Sequence, residues 1–204
     1  GFQNNTDALD AGLSAVDIST EPYVNPAIMQ GSGSIIDMTG YSGADVALGI
    51  GQSAIYTVTG ATSLLLRIAT GNNQSYDLDF APNQVFNNNA AQVTLQPNNA
   101  NAPSNISVVV FNVTSSPSAT PVFTGGQNVF FLNTGNNPLR VNASIKTNTL
   151  GKTVYSRSLS TSASVYSSAT HDSAWIDTTT AWASLGTLQF VFAQTGTIIV
   201  RRNL

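Results

Sequence analysis

The stretch from Ser184 to Leu204 constrains this fold more than any other part of the chain. It reads Ser-Leu-Gly-Thr-Leu-Gln-Phe-Val-Phe-Ala-Gln-Thr-Gly-Thr-Ile-Ile-Val-Arg-Arg-Asn-Leu. Leu188, Phe190 and Phe192 alternate onto one face, and Ile198 and Val200 continue an apolar face beyond Gly196. Thr, Val, Ile and Phe are the side chains that fit a pleated, half-buried surface. The pattern predicts two strands joined by a tight turn at Ala193-Gln-Thr-Gly196. A hairpin this apolar has to pack inside a sheet or against a partner, so the fold is completed only when the last residues arrive.

The rest of the chain follows the same short period. Strands are expected over Ser34–Met38, Ala44–Ile50, Ala54–Val58, Ser63–Ala69, Ser75–Phe80, Gln92–Gln96 and Asn105–Thr114. A Ser/Pro/Thr-rich joint at Ser115–Pro121 follows. Beyond it come Asn128–Asn133, Leu139–Thr147, Thr153–Leu159, Ala163–Tyr166, Ala174–Ile176 and the two closing segments, Gly186–Ala193 and Thr197–Arg201. Leu139–Thr147 alternates most cleanly, with Leu139, Val141, Ala143 and Ile145 directed inward and Arg140, Asn142, Ser144 and Lys146 outward. Val108-Val-Val-Phe111 is uniformly apolar, as a central strand covered on both faces would be. Many short strands separated by Gly, Asn and Pro predict an all-β fold, an antiparallel β-sandwich of jelly-roll or immunoglobulin-like type. The joint suggests two sandwiches in tandem, 34–118 and 119–204; a single jelly roll over 34–204 is the alternative. Thr-Gly-Asn-Asn recurs at residues 70–73 and 134–137, where Gly and Asn supply left-handed turn conformations.

Before the strands, residues 1–33 read as an extended arm containing Pro22 and Pro26. Its one helix candidate is Thr6–Val16, capped by Thr6, with Leu9, Leu13 and Val16 on one side.

Composition narrows the class. Only 8% of the 204 residues are charged, against roughly 25% in ordinary domains, and about a tenth are Asn. The surface is therefore amide- and hydroxyl-rich, a kind suited to close, wet contact with another protein. With no cysteine, disulfides and thiolate metal sites are excluded. No apolar run is long enough to span a membrane as a helix. Residues 1–100 sit near −7 and residues 101–204 near +4. That polarity suits head-to-tail contact between copies, and the lack of a basic arm argues against nucleic-acid binding.

The chain offers little chemistry. His171, the one histidine, stands beside Asp172 and Ser173, but neighbours on an extended chain point to opposite faces. It is read as a surface or turn residue. Asp77 and Asp79 share one strand face about 7 Å apart, a spacing that suits a hard cation or a glycosidase pair; an exposed polar face is the favoured reading. No phosphate loop, dinucleotide fingerprint or zinc spacing is present, and no cofactor is expected. Trp175 and Trp182 flank Ile176–Ala181. They serve either as core or interface anchors or as stacking platforms for sugar rings.

The order Trp182, Leu185-Gly-Thr-Leu188, Thr195-Gly-Thr-Ile-Ile-Val200 resembles the closing strands of carbohydrate-binding jelly rolls. It is also similar to the β-sandwich modules of tailed-bacteriophage structural proteins, decoration and spike proteins among them, over roughly the last 30 residues. The second resemblance implies a non-enzymatic virion protein that decorates or cements a capsid. Its partners would be capsid or other virion proteins and copies of itself, a trimer by analogy, with no nucleic acid and no membrane. Trp175, Trp182, Arg201 and Arg202 are the expected interaction residues. The alternative is a secreted or cell-surface carbohydrate-binding module that holds a glycan on Trp175 or Trp182.

Overall fold

A computed structural model of the chain describes residues 34–83, 92–98, 106–113, 122–134, 138–148, 151–162 and 165–204. The expected arm, with its helix candidate at Thr6–Val16, lies outside them. Residues 31–204 form one compact unit. In chain order the strands are β1 (Ile35–Asp37), β2 (Val46–Ala47), β3 (Ser53–Ala69), β4 (Ser75–Pro82), β5 (Val93–Gln96) and β6 (Ile106–Val113). They continue as β7 (Val122–Gln127), β8 (Phe130–Asn133), β9 (Pro138–Asn148), β10 (Gly151–Ser162), β11 (Val165–Trp175) and β12 (Ser184–Arg202).

The fold is all-β, and its ladder is mixed and not closed. The order along the main path is β1-β3-β12-β4-β9-β10-β11-β6-β7, while β2 joins β3, and β5 joins both β12 and β8. β1 and β2 lie parallel to β3, and every other pairing is antiparallel. Strands from 34–118 and from 119–204 interleave in this one ladder, with β12 inserted between β3 and β4.

The expected closing hairpin is instead one strand. β12 runs for 19 residues without reversing direction, paired along its length with the 17-residue β3. Its register with β3 slips between Gln189 and Gln194 and again before Gly196, and there the long pair passes from one limb of the ladder to the other. Residues before the slip pair with β5, from Thr187↔Gln96 to Phe190↔Val93. Residues after it pair with β4, from Gly196↔Pro82 to Arg202↔Tyr76. The Gln-Thr-Gly sequence thus marks a bend of the kind that lets one strand serve two sheets. Opposite it, Gly60 adopts φ 61 and donates its N–H to Thr195 Oγ1 at 3.0 Å. Gly196 itself has no room for a side chain, since a Cβ there would strike the carbonyl oxygen of Ala81. Phe192, expected inward, is 40% exposed because it falls within the slip.

The same merging occurs elsewhere. Ala54–Val58 and Ser63–Ala69 are two ends of β3. Of the expected Ala163–Tyr166 and Ala174–Ile176, Val165 and Tyr166 open β11 and Ala174 and Trp175 close it, while residues 163–164 lie outside the described residues. β7 was not expected from the sequence. Asn73 takes the left-handed turn conformation, φ 59, anticipated for Thr-Gly-Asn-Asn.

The buried sides of these strands supply the core. Tyr56, Tyr76, Leu78, Phe80, Ile198 and Val200 come from one limb, and Leu66, Ile68, Leu95 and Leu188 from the other; all are buried. Phe80 meets Phe190 across the bend at 5.4 Å between ring centroids. β8 packs across β9, β10 and β11. At one end of the core Phe130 stacks on Trp182 at 5.0 Å, and Trp182 meets Trp175 edge-on at 6.1 Å.

Candidate functional site

Strand alternation puts every second residue of β12, β4, β9 and β10 on the face turned away from the core. There the four strands form a groove of about 510 Å³. Two register rows cross it. In the first, Arg201 stands opposite Asp77, Asp77 opposite Ser144, and Ser144 opposite Tyr155. In the second, Ile199 stands opposite Asp79, Asp79 opposite Asn142, and Asn142 opposite Arg157. Tyr155 is 49% exposed and Ile199 39%.

The carboxylates are held in place. Arg140 donates from Nε to Asp79 Oδ1 at 3.0 Å and from Nη2 to Oδ2 at 2.5 Å, and these bonds raise the pKa of the guanidinium above its ordinary value. Asn203 donates from Nδ2 to Asp77 Oδ2 at 2.7 Å. One acid of the first half of the chain, Asp79, therefore meets a base of the second half, Arg140, within one molecule. Both oxygens of Asp79 accept from Arg140, which fixes the carboxylate in place and leaves its remaining lone pairs open to a further donor.

Arg201 opens onto this groove. Arg202 turns elsewhere, donating from Nη1 to the Leu48 carbonyl at 2.6 Å and from Nε to that of Leu204 at 2.9 Å, so it ties the C-terminus to the preceding loops. Trp175 and Trp182 are 2% and 3% exposed, anchored in the core and not displayed as platforms. The ammonium of Lys152 sits 4.2 Å from the Trp175 ring centroid and donates to the Asp177 carbonyl. Burial lowers the pKa of Lys152. The Asp177 carboxylate accepts hydrogen bonds from Thr179 and Thr180, which hold its pKa well below the usual carboxylate range.

His171, expected on the surface, is fully buried in β11 beneath β8. Its Nε2 lies 3.0 Å from Thr134 Oγ1 and its Nδ1 3.3 Å from Ser156 Oγ. The Ser156 hydroxyl also faces the Phe131 and Leu132 carbonyls of β8, each at 3.2 Å. With that hydrogen given to β8, Ser156 accepts from Nδ1–H and leaves Nε2 to accept from Thr134, which assigns the tautomer. Burial lowers the imidazole pKa to about 4. Ser173 is buried beside it, but Asp172 is exposed on the opposite face, so no Ser/His/Asp set forms. Among the described residues, no group of three or more His, Cys, Asp or Glu side chains is placed to hold a metal ion.

Sequence reasoning found Asp77 and Asp79 on one face but missed Tyr155, Asn142 and Arg157 as their neighbours. The signal lay in Tyr155-Ser-Arg157-Ser-Leu159, where large side chains alternate with serines. No protein-family model, curated protein or solved structure matches the chain.

Proposed function

We propose that this chain is a non-enzymatic structural protein of a virion, a capsid decoration (cement) or spike subunit. In this reading its two limbs make a jelly-roll or immunoglobulin-like sandwich, and it works as a homo-oligomer, a trimer by analogy, on a capsid surface. The observation that carries the reading is the end of the ladder. Among the described residues β7 pairs only with β6, and Val122-Phe-Thr-Gly-Gly-Gln127 contains no charge and no proline. Monomeric sheet proteins guard such an edge with Lys, Pro or a short strand, because its free N–H and C=O groups otherwise recruit another chain. This edge has no charge or proline among its six residues and is interrupted only by a bulge at Gly125–Gly126, which suits a protein that is covered in its assembly. The low-charge, amide-rich surface supports the same reading.

Sedimentation of material from the native source, followed by mass spectrometry of the fast fraction, tests it. The chain is expected in fixed stoichiometry with a particle of megadalton size. Gly125→Lys, at an exposed position of β7, should release it from that particle while its melting temperature stays within a few degrees of wild type. A wild-type chain that remains at the top of the gradient as a monomer overturns the proposal.

A further inference from the structure

We infer that the groove across β12, β4, β9 and β10 is a binding site for an extended acidic oligosaccharide, with Tyr155 as its stacking platform. A sugar ring presents an apolar face of C–H groups and an edge of hydroxyls, and the groove supplies a match for each. Tyr155 and Ile199 are its exposed apolar surfaces, at opposite ends of adjacent register rows. Tyrosine offers a rigid, half-apolar ring that a sugar can cover at little entropic cost. Between them lie Ser144 and Asn142, which donate to and accept from hydroxyls, and the two aspartates, which accept. Tyr155 and Arg201 are three strand spacings apart, about 14 Å, which is longer than a single sugar ring.

The acceptors are already fixed. Asp79 is clamped by Arg140 and Asp77 by Asn203, so a ligand meets them without ordering them first. Charge then selects the sugar. Asp79 and Arg140 cancel, and among the described residues Arg157 and Arg201 have no hydrogen bond or ion pair to another side chain. Two free guanidiniums against the single remaining carboxylate of Asp77 leave the groove net positive. Guanidinium is the group best shaped to take a carboxylate through two parallel hydrogen bonds. A uronic-acid chain supplies such carboxylates on rings that still stack. Nucleic-acid binding draws on clusters of basic side chains, and a groove whose two free guanidiniums face one remaining carboxylate falls short of that, which disfavours it.

The site is separate from the β7 edge, so it stands or falls independently of assembly. Affinity electrophoresis of the whole chain in native gels tests it, with polygalacturonate as the acidic probe, xylan as the neutral one and single-stranded oligo-dT as the nucleic acid. Polygalacturonate should retard the chain and xylan should do so less. Tyr155→Ala should weaken retardation about tenfold. Arg157→Ala should abolish the preference for polygalacturonate over xylan. Both side chains are exposed, so melting temperatures should hold, and Ile176→Ser, outside the groove and 65% exposed in the parent, should bind as wild type. Failure of polygalacturonate to retard the chain, equal retardation by xylan or oligo-dT, or full retention of binding by Tyr155→Ala each overturns the inference.

Discussion

β9 and β10 are neighbours in the ladder, paired from Gly151↔Asn148 to Ser160↔Pro138, yet they divide their residues between core and solvent in opposite ways. β9 obeys the ordinary rule. Val141, Ala143 and Ile145 are buried, while Arg140, Asn142 and Lys146 are exposed. β10 inverts it. Lys152, Ser156, Ser158 and Ser160 are at most 2% exposed, whereas Tyr155 and Leu159 are 49% and 42% exposed. The difference comes from what lies across each strand. β8 crosses β10 closely enough for Ser156 to reach two of its carbonyls and for Ser160 to donate to Asn133 Oδ1 at 3.2 Å. A leucine in either place would strike β8, and its carbonyls would lose a donor. The serines fit because they are small, and two of them donate to β8, Ser156 to its backbone and Ser160 to the Asn133 side chain. Tyr155 and Leu159, turned outward in consequence, give the molecule its groove and its exposed apolar surface.

The largest test of this contrast lies on β9. Ile145 is fully buried, and Ile145→Ala should destabilise the chain by about 3 kcal/mol through lost transfer energy and the cavity left behind. Urea unfolding measures it. A loss under about 1 kcal/mol would mean that β9 is no better packed than β10 and would erase the difference between them.

Next in size is the acid sensitivity of the buried imidazole, which belongs to the β10–β11 side, since the inward residues of β9 carry no titratable group. His171 is neutral in the fold, with its pKa lowered from the ordinary 6.5 to about 4 by burial. The unfolded chain therefore binds more protons between those values. Stability is full above about pH 6.5 and falls as the pH drops towards 4, by about 3 kcal/mol across the window. Urea midpoints of wild type and His171→Gln, compared at pH 7.5 and at pH 4.5, isolate the term from carboxylate titration. The variant should lack most of the acid-induced drop. An equal drop in both proteins would show that the imidazole is already protonated, or solvated, in the fold.

The two strands also explain which parts of the fold were legible in the sequence. On β9, Val141, Ala143 and Ile145 could be read from alternation because the opposing layer accepts bulk. Leu139 breaks the pattern, 37% exposed, because the register slips between Leu159 and Ser160 and leaves it without a partner. His171 sits in a polar run, Thr170-His-Asp-Ser173, and only the presence of β8 above it, contributed from some forty residues earlier, buries it. Gln194-Thr-Gly196 has turn chemistry but serves as a bend, since whether a glycine reverses a chain or lets it change sheets depends on the strands beside it. For the groove, local alternation was enough to pair Asp77 with Asp79. Tyr155, Asn142 and Arg157 reach them through register across three strands, and a single sequence carries no record of that pairing.

The smallest effect is the most discriminating, because its sign opposes ordinary expectation. Removing a leucine from a strand usually costs far more than removing a serine hydroxyl. On β10 the order should reverse. Ser156→Ala deletes the donor to the Phe131 and Leu132 carbonyls and the acceptor for His171 Nδ1–H, leaving buried groups unsatisfied, at about 1–2 kcal/mol. Leu159→Ala trims a side chain already 42% in water and should cost about 0.5 kcal/mol. Ser158→Ala provides the internal control, since Ser158 Oγ is buried without a hydrogen-bond partner, so its removal should be neutral or slightly stabilising. The expected order of destabilisation is therefore Ser156→Ala above Leu159→Ala above Ser158→Ala, read from urea midpoints at pH 7.5. If Leu159→Ala proves the most costly, β10 faces the core with its apolar residues after all. Tyr155 would then be turned inward and the groove would lose its platform. A single set of unfolding curves thus bears on both the inverted strand and the site built on its outer face.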